Sequence, residues 1–116
     1  MAGYEELEIL DLERLNESTD GDAEFEEALV DAFAETTTPY FLEFDESLKN
    51  GKLDDARRAV HSVKGSSAAR GLLRLCEVAG KIEDWVVAGA KGTMPYPRVA
   101  LDQLFAEGVK TLLARR

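Results

Sequence analysis

The run Arg57-Arg58-Ala59-Val60-His61-Ser62-Val63-Lys64-Gly65-Ser66-Ser67-Ala68 contains the only histidine of a 116-residue chain. Together with Leu53 and Ala56 just before it, the apolar Val60 and Val63 and the small Ser67 repeat at the spacing of one helical face. This predicts a helix over 52–70. At about 100° per residue, His61 lies roughly 120° from the centre of that stripe, so its ring points toward the edge or the solvent. Asp54 and Arg57 lie below it on this flank, with Lys64, Gly65 and Ala68 above. A solvent-facing imidazole beside a lysine, with a glycine and an alanine clearing space, has the makings of a docking place.

On either side of this helix the chain keeps helical periodicity. Tyr4 to Leu15 carries Leu7, Ile9, Leu10, Leu12 and Leu15 among acids, a short amphipathic helix. Asp20-Gly21-Asp22 offers a turn and an N-cap for the next helix, whose stripe is Phe25, Ala28, Leu29, Ala32 and Phe33. Thr36-Thr37-Thr38-Pro39 interrupts it. Either a new helix starts there with Thr38 as cap, or one long helix kinks. Phe41, Phe44 and Leu48 continue the stripe to Asn50-Gly51, a C-cap signal. Beyond Gly71 come Leu72, Leu75, Ala79, Ile82 and Val86, with Trp85 on the edge. A loop over 89–95 and a last helix over 99–113 follow. No segment alternates polar and apolar residues over strand length. The expected architecture is all-α: an up-and-down antiparallel four-helix bundle with a short N-terminal lead-in helix, one domain over 1–116 with its bundle core at about 22–114.

The net charge of −9 argues against nucleic-acid binding, and no apolar run is long enough for a membrane span. An acidic N-terminus is unlike a signal peptide, and the single Cys76 allows no internal disulfide, so a cytoplasmic monomer is expected. Charge is unevenly spread. Residues 1–48 carry sixteen acids against one arginine, whereas 49–70 carry six basic residues against two acids. The one basic island in the chain is the one containing His61.

Gly65 inside a helix costs about 1 kcal/mol relative to alanine, and Ser66 and Ser67 add smaller penalties. Tight packing against another helix accounts for Ser67 on the buried stripe but poorly for Gly65 on the far flank. An exposed imidazole serves as general base, metal ligand or nucleophile. No second histidine is present for a metal site, and Cys76 reads as a small hydrophobe in the core. Phosphorylation of a ring nitrogen remains. It needs a solvent-facing nitrogen, a nearby cation and no crowding acid. Lys64 lies one turn away, Arg57 one turn the other way, and Asp54 and Asp55 about two turns off.

The octet His61-Ser62-Val63-Lys64-Gly65-Ser66-Ser67-Ala68, followed by Gly71, resembles the signature of histidine-containing phosphotransfer (HPt) domains, His-x-Leu-Lys-Gly-Ser-Ser/Ala-x-x-x-Gly. The lead-in 53–60 and follow-on 72–83 are also similar. Val63 replaces the commoner leucine, and Arg70 stands at an often apolar position, where it extends the basic rim. The resemblance implies a phosphoryl carrier in a multistep two-component phosphorelay, not an enzyme acting alone. His61 would be the phosphoacceptor, Lys64 would steady the phosphoryl group, and Gly65 would make room for an incoming receiver domain. Arg57, Ala68, Leu7, Leu10 and the Phe25–Phe33 region would supply partner contacts. The implied partners are receiver domains and a histidine or hybrid kinase. No cofactor is implied for this chain, any Mg2+ belonging to the receiver. A non-phosphorylated interaction module and the phosphoacceptor domain of a larger chemotaxis-type or hybrid kinase are the alternative readings.

Overall fold

The computed structural model describes residues 23–114, and these form four helices: α1 Ala23–Lys49, α2 Leu53–Ala69, α3 Leu73–Val87 and α4 Arg98–Ala114. The expected lead-in helix, with Leu7 and Leu10, lies outside the described residues. Each α2 and α3 boundary falls within a residue or two of the periodicity read from the sequence.

Three helix ends are closed in the same way. Gly51, Gly71 and Gly89 adopt positive φ just past α1, α2 and α3. The next amide then donates back across the last turn: Lys52 to the Ser47 carbonyl at 2.8 Å, Leu72 to Ser67 at 2.9 Å, Ala90 to Trp85 at 2.9 Å. Left-handed glycine lets the chain reverse while satisfying carbonyls the helix leaves open. Two of these reversals are only three residues long, which forces α1, α2 and α3 into antiparallel neighbours. α4 returns beside α1 in the opposite sense. The Phe105 ring packs on Phe33 (centroids 5.5 Å) and Phe41 (5.1 Å), and Arg98 at the start of α4 reaches Asp45 near the end of α1. The four helices close an up-and-down antiparallel bundle.

The alternative at Thr36–Pro39 resolves as one continuous helix. Pro39 is exposed, so its ring and the carbonyl deprived of an amide partner both lie on the wet side. The inner face meanwhile continues unbroken through Phe33, Thr37, Phe41 and Phe44, all buried. The Thr38 hydroxyl donates to the Ala34 carbonyl at 2.7 Å instead of capping a new helix.

The core is aliphatic and aromatic, with Val60, Val63, Leu72, Leu75, Val78, Ile82 and Leu101 at most 2% exposed. Each such side chain contributes about 1.5–3 kcal/mol by leaving water. Ser67 is fully buried on the α2 stripe and donates its hydroxyl to the Val63 carbonyl at 2.5 Å, the one polar group that α2 must satisfy inside. Cys76 is only half-buried, on the flank of α3 toward Lys64, and so is not the core hydrophobe expected from its apolar neighbours.

α4 is joined to the rest by fewer but well-made contacts. Arg98 donates to both Asp45 oxygens (2.6 and 3.0 Å) and to Asp102 (3.0 Å), and its guanidinium lies 5.3 Å from the Phe41 ring centre. Partial burial lowers its pKa, but the hydrogen bonds and charges of Asp45 and Asp102 outweigh this and hold it raised. Gly108 packs so closely on the residue just before α3 that a Cβ there would sit 2.8 Å from Leu72 Cδ1 and 3.0 Å from Cδ2. Because Leu72 is itself buried, it has little freedom to yield. Gly108→Ala is therefore expected to lower stability by about 1 kcal/mol despite its better helix propensity, read from the urea midpoint. Adding Leu72→Val to that variant should recover part of the loss.

Candidate functional site

α2 offers α3 an edge on which Arg57, His61 and Lys64 are one turn apart. From the facing edge of α3, one residue past the buried Ile82, Glu83 reaches into this row. Its carboxylate lies 2.9 Å from His61 Nδ1, 3.7 Å from Lys64 Nζ and 4.0 Å from Arg57 Nη1. The side chain of Glu83 is only 12% exposed, whereas His61 is 60%, Lys64 44% and Arg57 41% exposed. A desolvated acid thus sits beneath three wet basic groups. The two cations beyond hydrogen-bond distance contribute under about 1 kcal/mol each, so this cluster orients more than it stabilises.

The expectation that no acid crowds His61 is corrected by this geometry. Asp54 and Asp55 lie about two turns away along α2, and Asp55 pairs with Arg58. The acid comes from another helix, and it approaches only one ring nitrogen. With a neutral ring, Nδ1–H donates to the carboxylate, which leaves the lone pair on Nε2. No described residue hydrogen-bonds to Nε2, and the side chain as a whole is largely exposed. The pairing fixes the tautomer and the ring plane together.

The other residues singled out in the sequence divide. Lys64 and Arg57 stand beside His61 as expected. Gly65 is exposed and points straight away from the bundle, and a Cβ placed on it would meet no atom within 4 Å. Nothing inside the protein requires glycine there. Ala68 continues this flank one turn on, half-buried. Arg70 does not extend the basic rim: it lies on the opposite edge of α2, lining the α1–α2 groove with Leu29, Ala32 and Thr36. Burial there lowers its pKa. The Phe25–Phe33 region does flank α2, but Phe33 is buried against Phe105 and so is not available to a partner. Leu7 and Leu10 lie outside the described residues.

Glu83 was the residue that sequence reasoning missed. Its signal was weak but present: one of the three acids of that helix, next to the apolar Ile82, opposite three basic positions at 57, 61 and 64 on the edge of the preceding antiparallel helix. Gly80, on which the stem of Lys64 lies, was missed as well. Among the described residues no group of three or more His, Cys, Asp or Glu side chains is placed to hold a metal ion, and no helix is long and apolar enough to cross a membrane.

Comparison with known families matches residues 28–115 to the Hpt domain. No curated protein and no solved structure gave a match. The matched region takes in all of α2, α3 and α4 and most of α1, including the Glu83 cluster and the Gly65 flank. On that match, and on the four-helix bundle that carries it, the chain belongs to the Hpt domain family, whose members take part in histidine phosphotransfer in two-component signalling.

Proposed function

We propose that His61 is the phosphoacceptor of this domain and that the protein carries a phosphoryl group between receiver-domain aspartates, or from a histidine kinase to a receiver. The observation that supports this reading best is the division of labour on the imidazole: Nδ1 is engaged by Glu83, while Nε2 has no partner among the described residues on a largely exposed side chain. The Nε2 lone pair attacks the phosphorus of an aspartyl phosphate. An N–P bond forms, the O–P bond breaks, and the electron pair leaves with the aspartate carboxylate. The ring then carries positive charge, and the nearby Glu83 carboxylate stabilises it through the Nδ1–H bond.

Lys64 and Arg57 bring cationic charge to the same side of α2, and phosphoryl transfer depends mainly on positioning and on such charge. Lys64 sits 3.7 Å from Glu83, too far for a committed hydrogen bond, so its ammonium can turn toward phosphoryl oxygens at small cost. Gly65 supplies the clearance for a receiver to bring its aspartate to Nε2. The divalent cation of the reaction belongs to the receiver. On this reading the domain is a carrier that contributes an oriented nucleophile and its counter-charges, while the partner brings the rest of the chemistry. A purely passive interaction bundle would have no use for an exposed glycine, a half-exposed lysine and an oriented imidazole on one flank.

Incubation with a phosphorylated receiver should label the protein in an acid-labile, base-stable form, and His61→Gln should abolish the label. Label persisting in that variant would falsify the assignment. Glu83→Ala should slow labelling about tenfold with helicity unchanged, the equivalent of about 1.4 kcal/mol from one charge-assisted hydrogen bond. Gly65→Ala should raise the urea-derived stability by about 0.5–1 kcal/mol, since its methyl group enters open space on a helix. Gly65→Gln should slow transfer from a receiver but leave labelling by the small donor phosphoramidate unchanged. Equal loss with both donors would show that the glycine serves the site itself and not the docking partner.

A further inference from the structure

Three glycines lie inside helices with ordinary negative φ, so none of them is required by the backbone: Gly65, Gly80 and Gly108. Glycine is the poorest helix former after proline, and each position therefore asks for a reason. At Gly108 the reason is the buried Leu72 pressed against it, and at Gly65 the space is empty. Gly80 differs from both. A Cβ there would lie 3.6 Å from Cδ and from Cε of Lys64 and 3.9 Å from its Nζ, and these are its three nearest neighbours. The lysine stem crosses α3 over the bare backbone of Gly80, one turn before Glu83, on the side of a cleft of about 190 Å3 that also includes Glu77 and Asp84.

We propose that Gly80 is a positioning residue for Lys64: the absence of any side chain longer than a methyl group there leaves the seat that lays the lysine stem across α3 and brings the ammonium to the His61–Glu83 pair. The role at His61 rests on the carrier reading given above. The contact distances make the inference graded. At 3.6 Å a methyl group is in ordinary van der Waals contact, so Gly80→Ala leaves the seat in place. A γ-branched side chain needs the volume the stem occupies, so Gly80→Leu lifts Lys64 off α3 and into solvent, away from Glu83. Lysine gains side-chain freedom on release and resists little, because its attachment is a 3.7 Å ion pair and an apolar stem contact.

In the full chain, nuclear Overhauser contacts between the Lys64 ε-methylene and Gly80 α-protons are expected, and their absence overturns the seat directly. The functional test is a cycle of Gly80→Leu, Lys64→Ala and the double variant, read as the rate of His61 labelling by phosphoramidate, with Gly80→Ala as control. Gly80→Leu should slow labelling as much as Lys64→Ala does, the double variant no more than either, and Gly80→Ala by less than about twofold. A Gly80→Leu protein labelled at the wild-type rate, or effects that multiply in the double variant, would overturn the proposal, since a general loss of helix stability has no reason to vanish when Lys64 is absent. Should wild type itself take no label at His61, the carrier reading fails and the positioning role falls with it. Label at His61 with an indifferent Gly80→Leu overturns the role of Gly80 alone.

Discussion

The hydrogen bond between His61 Nδ1 and Glu83 is the constraint on which the rest of the site depends. It joins α2 to α3 at 2.9 Å, and it reaches between side chains of very different exposure. A carboxylate this dry needs partners, and α2 offers three along one edge. Only the imidazole is close enough for a well-formed hydrogen bond. Of the two ring nitrogens, one is committed inward and the other has no hydrogen-bond partner among the described residues.

The bundle supplies that geometry by ordinary means. Glycine-closed reversals after α1 and α2 keep the connections at three residues, so α2 has α1 on one side and α3 on the other. Val60 and Val63 anchor α2 in the core, which sets the rotation of the helix and carries His61 to the α3 side of its outer face. Ser67 satisfies its own hydroxyl within α2 and demands nothing of the site. The phenylalanines of α1 and α4 and the Arg98 clamp close the far side of the bundle, remote from the histidine. The packed core and the His61 cluster thus lie on different faces, and the exposed face can hold a glycine that a purely structural helix would replace.

Much of this was legible in the chain. The 3-4 spacing of Leu53, Ala56, Val60, Val63 and Ser67 implied both the helix and the outward turn of His61, because one periodicity governs both. Gly51 and Gly71 announced the reversals, since a left-handed residue is needed just after a helix end. What stayed hidden depends on contacts between helices. Pro39 left open a new helix or one long kinked one, and nothing local reveals that the apolar face passes on the other side of it. Arg70 looked like part of a basic rim, yet its angle on α2 puts it against α1. Cys76 sits among apolar residues in sequence but on the flank of α3 in space. Glu83 is twenty-two residues from His61, and its role exists only once the registry of α2 against α3 is known.

With its hydrogen held on Nδ1 by Glu83, the neutral imidazole leaves Nε2 bare. Long-range 15N–1H correlation spectra of His61 in the intact protein, at a pH where the ring is neutral, report this directly. A hydrogen on Nδ1 and the chemical shift of an unprotonated Nε2 are expected, both lost in Glu83→Ala. A ring carrying its hydrogen on Nε2, as free imidazole side chains favour, would contradict that assignment.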